Sequence, residues 1–293
     1  MDAKKPDFEY ALGIDIGSTT AKVVLRKGNE ILLERYERHF SQVREKTAEL
    51  LGLVKKITGD GSVKAAISGS AGLGLAEAAH IPFVQEVFAT AQVVKLKEPD
   101  TSCVIELGGE DAKIIFFDGG IDERMNGTCA GGTGAFIDQM ATLLNITVDE
   151  LDKLSLNAGR RYPIASRCGV FAKTDIQPLL NQGARKEDIA ASIYQAVVNQ
   201  TIAGLAQGRK IEGKVLFLGG PLYYCKGLGI RFKETLKLSD ENAVFPDYAR
   251  FAVSLGASYY AEQQQDVFTA DELLRLVEKA AGLSSAKGRL KPL

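Results

Sequence analysis

Two short stretches place an acid, a glycine turn and a lysine at the same spacing: Ile14-Asp-Ile-Gly-Ser-Thr-Thr-Ala-Lys-Val-Val-Leu25 and Ile105-Glu-Leu-Gly-Gly-Glu-Asp-Ala-Lys-Ile-Ile-Phe116. They align without gaps at an offset of 91, with Gly17/Gly108, Ala21/Ala112 and Lys22/Lys113 identical and Asp15/Glu106 matched in charge. A tight turn of small residues can aim backbone N–H groups and hydroxyls at an anion, and an acid on the strand before it can hold hydrated Mg2+. Two such turns facing one another would clamp a triphosphate. A Walker A or dinucleotide-binding loop enters a helix, whereas Gly17-Ser-Thr-Thr20 runs into Lys22-Val-Val-Leu25, which is apolar and β-branched. The expected chemistry is therefore phosphate binding by paired hairpins.

The second chemical signal is sulfur. Of the four cysteines, Cys129 lies in the glycine-rich stretch Asn126-Gly-Thr-Cys-Ala-Gly-Gly-Thr-Gly134 and Cys168 in Ser166-Arg-Cys-Gly-Val-Phe-Ala172. No Lys-Ser/Thr pair follows the glycines, so the first stretch is not primarily a phosphate cradle, and its cysteine is the informative residue. A helix is expected from about Ala130, and N–H groups at its start would lower a thiol pKa and stabilise an anionic group there. Cys103, in the strand leading to the second loop, and Cys225, after Gly219-Gly-Pro221, read as packing residues of a core. Without C-x-x-C spacing or a secretion signal, reduced thiols or metal ligands are expected rather than disulfides.

These residues need strands and helices to hold them. Both units read as strand, glycine turn, strand, turn, strand, the second turns being Lys27-Gly-Asn29 and Asp118-Gly-Gly120. Helical spacing is expected over Gln42–Ile57, Glu86–Lys97, Ala135–Leu144, Val148–Leu154, through Ile176–Leu180, over Lys186–Ala206, near Leu228–Leu236 and over Ala249–Gln264. Short strands are expected at Ala65–Gly69 and Val215–Leu218, and Ser284–Leu293 reads as a basic tail or linker. At 293 residues and 45% hydrophobic, the chain can bury a large core. The balance of 36 Lys+Arg against 37 Asp+Glu gives no field that would steer it to nucleic acid or anionic lipid. The N-terminal residues lack a signal-like apolar segment and no run approaches a membrane span, so a cytoplasmic location with no membrane partner is expected.

Asp15-Ile-Gly-Ser-Thr-Thr20, Glu106-Leu-Gly-Gly-Glu-Asp111 and Leu218-Gly-Gly-Pro221 resemble, in this order, the two phosphate motifs and the adenosine motif of the sugar kinase, heat-shock chaperone and actin superfamily. The resemblance implies an α/β fold of two ribonuclease-H-like (actin-like ATPase) lobes with a nucleotide cleft between them. Lobe I would be residues 1–98 plus 247–280, lobe II residues 99–246, and 281–293 a tail or linker. The cysteine stretches sharpen this: the chain is similar to the activator ATPases of 2-hydroxyacyl-CoA dehydratases and benzoyl-CoA reductases, the BadF/BadG/BcrA/BcrD ATPase family, and to activator-like domains at the N-terminus of longer fused proteins.

That resemblance implies a homodimer sharing one [4Fe-4S] cluster, with Cys129 and Cys168 of each subunit as ligands. Two cysteines from each subunit of a symmetric pair would complete the four thiolates of a cubane. It also implies that ATP turnover moves a low-potential electron, taken from a ferredoxin or flavodoxin-type donor, onto a dehydratase or reductase. Asp15 and Glu106 would organise Mg2+ and water. Gly17, Ser18, Thr19, Thr20, Lys22, Gly108, Gly109 and Asp111 would hold phosphates, and Gly219, Gly220 and Pro221 would border the adenosine. Glu110 stands where relatives carry Gln, and an acid there could act as a general base or reach Mg2+ through water. A small-molecule kinase, with Glu110, Asp111 or Asp175 as base, explains the loops but leaves both cysteines unused. A non-enzymatic nucleotide switch predicts no bound iron.

Overall fold

A computed structural model of the chain describes residues 8–126, 131–165 and 169–287, with side chains described through Ala280. The chain divides into two compact units, Met1–Pro99 with Phe251–Leu293, and Asp100–Arg250.

Unit 1 begins with β1 (Tyr10–Ile16), β2 (Thr20–Lys27) and β3 (Glu30–Arg38), a meander interrupted by the two turns expected from sequence. Helix α1 (Val43–Thr58) follows, then β4 (Val63–Ser68), α2 (Leu73–Ala79) and α3 (Glu86–Lys97). The sheet order is β3-β2-β1-β4, antiparallel except for the parallel β1–β4 pair. Central strands β1 and β2 are buried almost throughout, whereas β3, at the edge, buries only Leu33. Helix α1 buries Thr47, Leu50, Leu51, Val54 and Thr58, the one-sided stripe that its 3.6-residue periodicity predicts.

Unit 2 repeats this plan with β5 (Thr101–Leu107), β6 (Ala112–Phe116) and β7 (Asp122–Met125). Helices α4 (Gly134–Leu143), α5 (Val148–Ser155), α6 (Gly169–Asn181) and α7 (Lys186–Thr201) come next. Strand β8 (Lys214–Leu218), α8 (Gly220–Tyr224), α9 (Lys226–Leu236) and β9 (Ala243–Val244) complete it. Its order is β7-β6-β5-β8-β9, and β8 pairs parallel with β5 as β4 does with β1. Phe136, Phe217 and Phe232 fill its core. Asp152 of α5 accepts from the backbone N–H groups of Gly227 (2.8 Å) and Lys226 (3.1 Å), so a carboxylate from one helix caps the N-terminus of α9.

The chain then returns to unit 1 through α10 (Ala252–Glu262) and α11 (Ala270–Lys287). A Cβ on Gly13 would stand 1.8 Å from the Ser254 carbonyl oxygen, and one on Gly256 1.9 Å from that of Ala89. Only glycine lets α10 lie this close to β1 and α3. Arg26 of β2, fully buried, donates to Ser258 Oγ (2.8 Å) and Glu262 Oε1 (2.7 Å) and stacks on Tyr259, its guanidinium carbon 3.9 Å from the ring centre.

Four expectations change. The helix expected from about Ala130 begins at Gly134, after a turn over residues 131–133, so its first N–H groups lie five residues along the chain from Cys129. The single helix expected over 186–206 ends its α-helical part at Thr201 and widens into a π-type turn over Ile202–Ala206, which contains the weak helix former Gly204. Gly219-Gly-Pro221 is less a turn than the start of α8, with Pro221 in the first helical turn, where a missing N–H costs nothing. Helix α11 continues to Lys287, into the segment read as a tail beginning at 281. It is nucleated by Thr269 and Glu272, whose side chains exchange hydrogen bonds with each other's backbone N–H. Residues 288–293 lie outside the described residues. Among the described residues no helix is long and apolar enough to cross a membrane.

Candidate functional site

The first hairpin assembles Asp15, Gly17, Ser18, Thr19, Thr20 and Lys22 within unit 1. Asp15 and Lys22 face each other across the β1–β2 ladder, and Lys22 Nζ donates to Asp15 Oδ2 at 2.7 Å. The carboxylate is only 4% exposed, so the ion pair is formed in a largely desolvated place. The Gly17 N–H donates to the Thr20 carbonyl at 3.0 Å and closes the turn. A residue the sequence reading passed over, His39 just beyond β3, donates its backbone N–H to the Thr19 carbonyl (3.2 Å), and its ring Nε2 lies 2.9 Å from the Gly17 carbonyl oxygen.

The second hairpin has the same register: Glu106 faces Lys113 as Asp15 faces Lys22. The Gly108 N–H closes the turn on the Asp111 carbonyl at 2.7 Å. Glu110 is exposed and Asp111 half-buried. The Asp111 carboxyl is held above its ordinary range, first by burial and then by the neighbouring Glu110 charge. Here the loop carbonyls are taken by a helix: Gly134 N–H donates to Gly108 O at 3.0 Å and Ala135 N–H to Gly109 O at 2.7 Å, both from the first turn of α4.

The third motif joins this cluster inside unit 2. Gly219 has φ +93°, and a Cβ there would stand 2.0 Å from the Leu107 carbonyl oxygen. A Cβ on Gly134 would meet Gly108 O at 3.1 Å and Pro221 Cγ at 3.2 Å. The second phosphate motif, the start of α4 and the Gly219-Gly220-Pro221 corner therefore converge through close backbone contacts. Unit 1 has a counterpart that sequence reading left unremarked, Gly69 after β4, with φ +94° and its Cβ position 2.2 Å from Ile16 O. The signal was available: each glycine directly follows the strand paired parallel with a phosphate-motif strand.

Cys129 and Cys168 lie outside the described residues, but their flanks are defined. Before the first, Asn126 Oδ1 accepts from Ala112 N–H at 2.7 Å while its own N–H donates to Ala112 O at 3.1 Å. Before the second, Ala165 N–H donates to Asp175 Oδ2 at 2.8 Å, so this carboxylate braces the chain entering residues 166–168. Helix α6 starts at Gly169, directly after Cys168, and a Cβ on Gly169 would meet Gln139 Oε1 of α4 at 1.9 Å. The helices that follow the two cysteine segments are thus in contact. Val170 and Phe171, in the first turn of α6, are 69% and 63% exposed. Cys103 and Cys225 are buried free thiols, as expected, and burial pushes them up to about 12 and about 11 respectively. Among the described residues no group of three or more His, Cys, Asp or Glu side chains could hold a metal ion.

Two units, each built as a three-stranded meander followed by helix and parallel strand, with an acid-bearing glycine hairpin in each, define the actin-like class of ATPase folds. Residues 12–261 match the model of the BadF/BadG/BcrA/BcrD ATPase family. The chain is 31% identical over 260 residues to the (R)-2-hydroxyglutaryl-CoA dehydratase activating ATPase of Acidaminococcus fermentans, spanning 86% of this chain and 96% of that protein. It is 29% identical over 273 residues to the 2-hydroxyisocaproyl-CoA dehydratase activator of Clostridioides difficile, spanning 88% and 98%. The crystal structure of the A. fermentans (R)-2-hydroxyglutaryl-CoA dehydratase component A matches with a TM-score of 0.72 and 28% identity, covering 87% of this chain and 98% of that one. The chain belongs to the BadF/BadG/BcrA/BcrD ATPase family, and is an ATPase.

Proposed function

We propose that this chain is an ATP-dependent reductive activator: a homodimer that couples ATP hydrolysis to delivery of a low-potential electron to a 2-hydroxyacyl-CoA dehydratase or a benzoyl-CoA reductase-like enzyme. The donor would be a ferredoxin or flavodoxin-type protein. The observation that carries this reading is the pair of hydrogen bonds from Gly134 and Ala135 to the Gly108 and Gly109 carbonyls. They attach a phosphate-binding loop to the helix whose start lies just beyond the Cys129 segment, so a shift of the loop on nucleotide binding or hydrolysis is passed to that segment. A kinase reading gives this linkage and both cysteines no role.

Each side chain then has a role. Asp15 and Glu106 would hold hydrated Mg2+, which would neutralise phosphate charge, and the hydroxyls of Ser18, Thr19 and Thr20 with Lys22 would bind phosphate oxygens. From unit 2, Gly108 and Gly109 would line the phosphates and the Asp111 carboxylate would reach them through Mg2+, Glu110 would orient the attacking water, and Gly219, Gly220 and Pro221 would border the adenosine. Cys129 and Cys168 would ligate a [4Fe-4S] cluster, which supplies one-electron storage at low potential. Its donor set fits the chain: two thiols, Cys168 directly before α6 and Cys129 five residues before α4 in sequence, ahead of two touching helices, with the remaining two from a second copy. The exposed Val170 and Phe171 beside Cys168 suit the apolar core of such a contact.

The test is an anaerobic preparation assayed for iron and acid-labile sulfide. About two of each per chain, lost in Cys129→Ala and in Cys168→Ala, is the expected result. Protein that binds Mg-ATP but takes up no iron after reconstitution would overturn the reading in favour of a nucleotide switch.

A further inference from the structure

His39 is buried, 3% exposed, and its two ring nitrogens have different partners. The Ser41 backbone N–H donates to Nδ1 at 3.1 Å, so Nδ1 carries a lone pair and the neutral ring holds its proton on Nε2. Nε2 then donates to the Gly17 carbonyl at 2.9 Å. With His39 N–H on Thr19 O and Gly17 N–H on Thr20 O, three carbonyls of the first phosphate loop find donors inside unit 1. A bound anion is repelled by carbonyl oxygens and attracted by N–H and O–H groups. Holding the carbonyls inward therefore leaves the attractive groups for the phosphate.

The backbone just after His39 is unusual. Phe40 and Ser41 have φ +48° and +64°, two consecutive non-glycine residues in the left-handed region, and Phe40 is 78% exposed. Such a conformation persists only where surrounding contacts over-determine it. What it achieves is to bring the Ser41 N–H onto Nδ1, which fixes the tautomer that the Gly17 contact requires.

The geometry points to His39 as a positioning residue of the first phosphate loop, acting through the Gly17 carbonyl, with the Phe40–Ser41 turn setting its tautomer. The inference rests on the reading of residues 17–20 as a phosphate loop. The experiment measures affinity for the non-hydrolysable analogue ADPNP with Mg2+, by calorimetry, in the wild-type chain and in His39→Gln, His39→Asn and His39→Ala, with thermal melting recorded for each. Gln places an N–H where Nε2 stands and loses the Ser41 contact; Asn keeps an acceptor where Nδ1 stands and cannot reach Gly17. Gln is expected to bind within about threefold of wild type, and Asn and Ala roughly tenfold more weakly, the loss typical of one hydrogen bond that orders a loop. Affinity that is unchanged in all three variants overturns the inference while leaving the phosphate-loop reading intact, as does a loss equal in Gln and Asn that follows their melting temperatures. No binding of Mg-ADPNP by the wild type overturns both. The Gln–Asn contrast decides the matter even if the Ala variant does not fold.

Discussion

The two hairpins share one pattern and are anchored in opposite ways. In both, a glycine N–H closes the turn three residues on, and an acid faces a lysine across the ladder. The equivalent carbonyls, Gly17 and Gly108, differ in what they bond. Gly17 O takes the imidazole of His39, which belongs to the same meander, whereas Gly108 O takes the N–H of Gly134, which starts another element. The chain path explains the divergence. From Tyr36, paired with Lys22, three residues lead to His39; from Met125, paired with Lys113, the same step enters residues 127–130, the segment of Cys129. One hairpin is tied back on itself and the other is tied to the cysteine region. The loops differ in charge as well: Ser18-Thr19-Thr20 offers neutral hydroxyls and Gly109-Glu110-Asp111 offers carboxylates.

The common part of the pattern is tested by the two corner glycines. Gly69→Ala and Gly219→Ala each place a Cβ within 2.2 Å and 2.0 Å of a strand carbonyl at positive φ, so each should cost roughly 3 kcal/mol or more in denaturant unfolding. A tolerated Gly219→Ala would break the equivalence of the two units. The next effect separates them. All four cysteines lie in unit 2, and the folded state holds Cys103 and Cys225 at about 12 and about 11 against 9.0 for a free thiol. Above about pH 9 the unfolded chain gives up thiol protons that the folded unit keeps. Stability conferred by the buried thiols is thus complete below pH 9 and is lost as pH rises toward 11 and 12, at about 1.4 kcal/mol per pH unit for each thiol. Hydrogen exchange at pH 10 should show unit 2 loosening before unit 1, and Cys103→Ala with Cys225→Ala should remove much of the difference.

Much of this pairing is legible in the sequence because the repeat is ungapped: an offset of 91 carries Asp15/Lys22 onto Glu106/Lys113, and strand register follows from it. The 3.6-residue period likewise marks α1, whose apolar stripe is buried, and a continuous apolar run marks β8, buried at every residue but Lys214. What the sequence hides is contact between residues distant along the chain with no local signature. His39 meets Gly17 across 22 residues and has no counterpart in the repeat, so nothing marks it out from a surface histidine. Gly134 and Ala135 read as a helix start, and only the fold brings that start onto Gly108 and Gly109. Helix α2, seven residues long, is too short for its period to show.

The anchoring difference itself is open to a smaller perturbation. Ala135→Pro removes the N–H that donates to Gly109 O at 2.7 Å, in a first helical turn where proline is tolerated. The expected cost is about 1 kcal/mol in stability. On the proposed function, nucleotide binding and iron content should survive, while the change that Mg-ADPNP would induce in the proposed cluster's electron paramagnetic resonance spectrum should diminish. An unaltered nucleotide response in this variant would mean that coupling does not run through α4.

The smallest effect concerns the charge difference between the loops. Asp111 is raised by burial first and by Glu110 second, and only the second cause can be removed without disturbing the fold, because Glu110 is exposed. Glu110→Gln deletes the neighbouring negative charge, so the Asp111 carboxyl should ionise at lower pH than in the wild type, still above an ordinary aspartate because burial remains. If ionised Asp111 helps to hold the Mg-nucleotide, the acid limb of Mg-ADPNP affinity against pH should move to lower pH, with the plateau near neutrality little changed. Hydrolysis reads the other role of the same residue: as the group that orients water, Glu110 loses its carboxylate in this variant but keeps a hydrogen-bonding side chain. A shifted acid limb with turnover retained even in Glu110→Ala, which unlike Gln leaves no side chain to orient water, assigns Glu110 to the electrostatics of the second loop alone. An unshifted limb with lost turnover assigns it to the attacking water, and makes the second hairpin the one that carries the chemistry as well as the linkage to the cysteines.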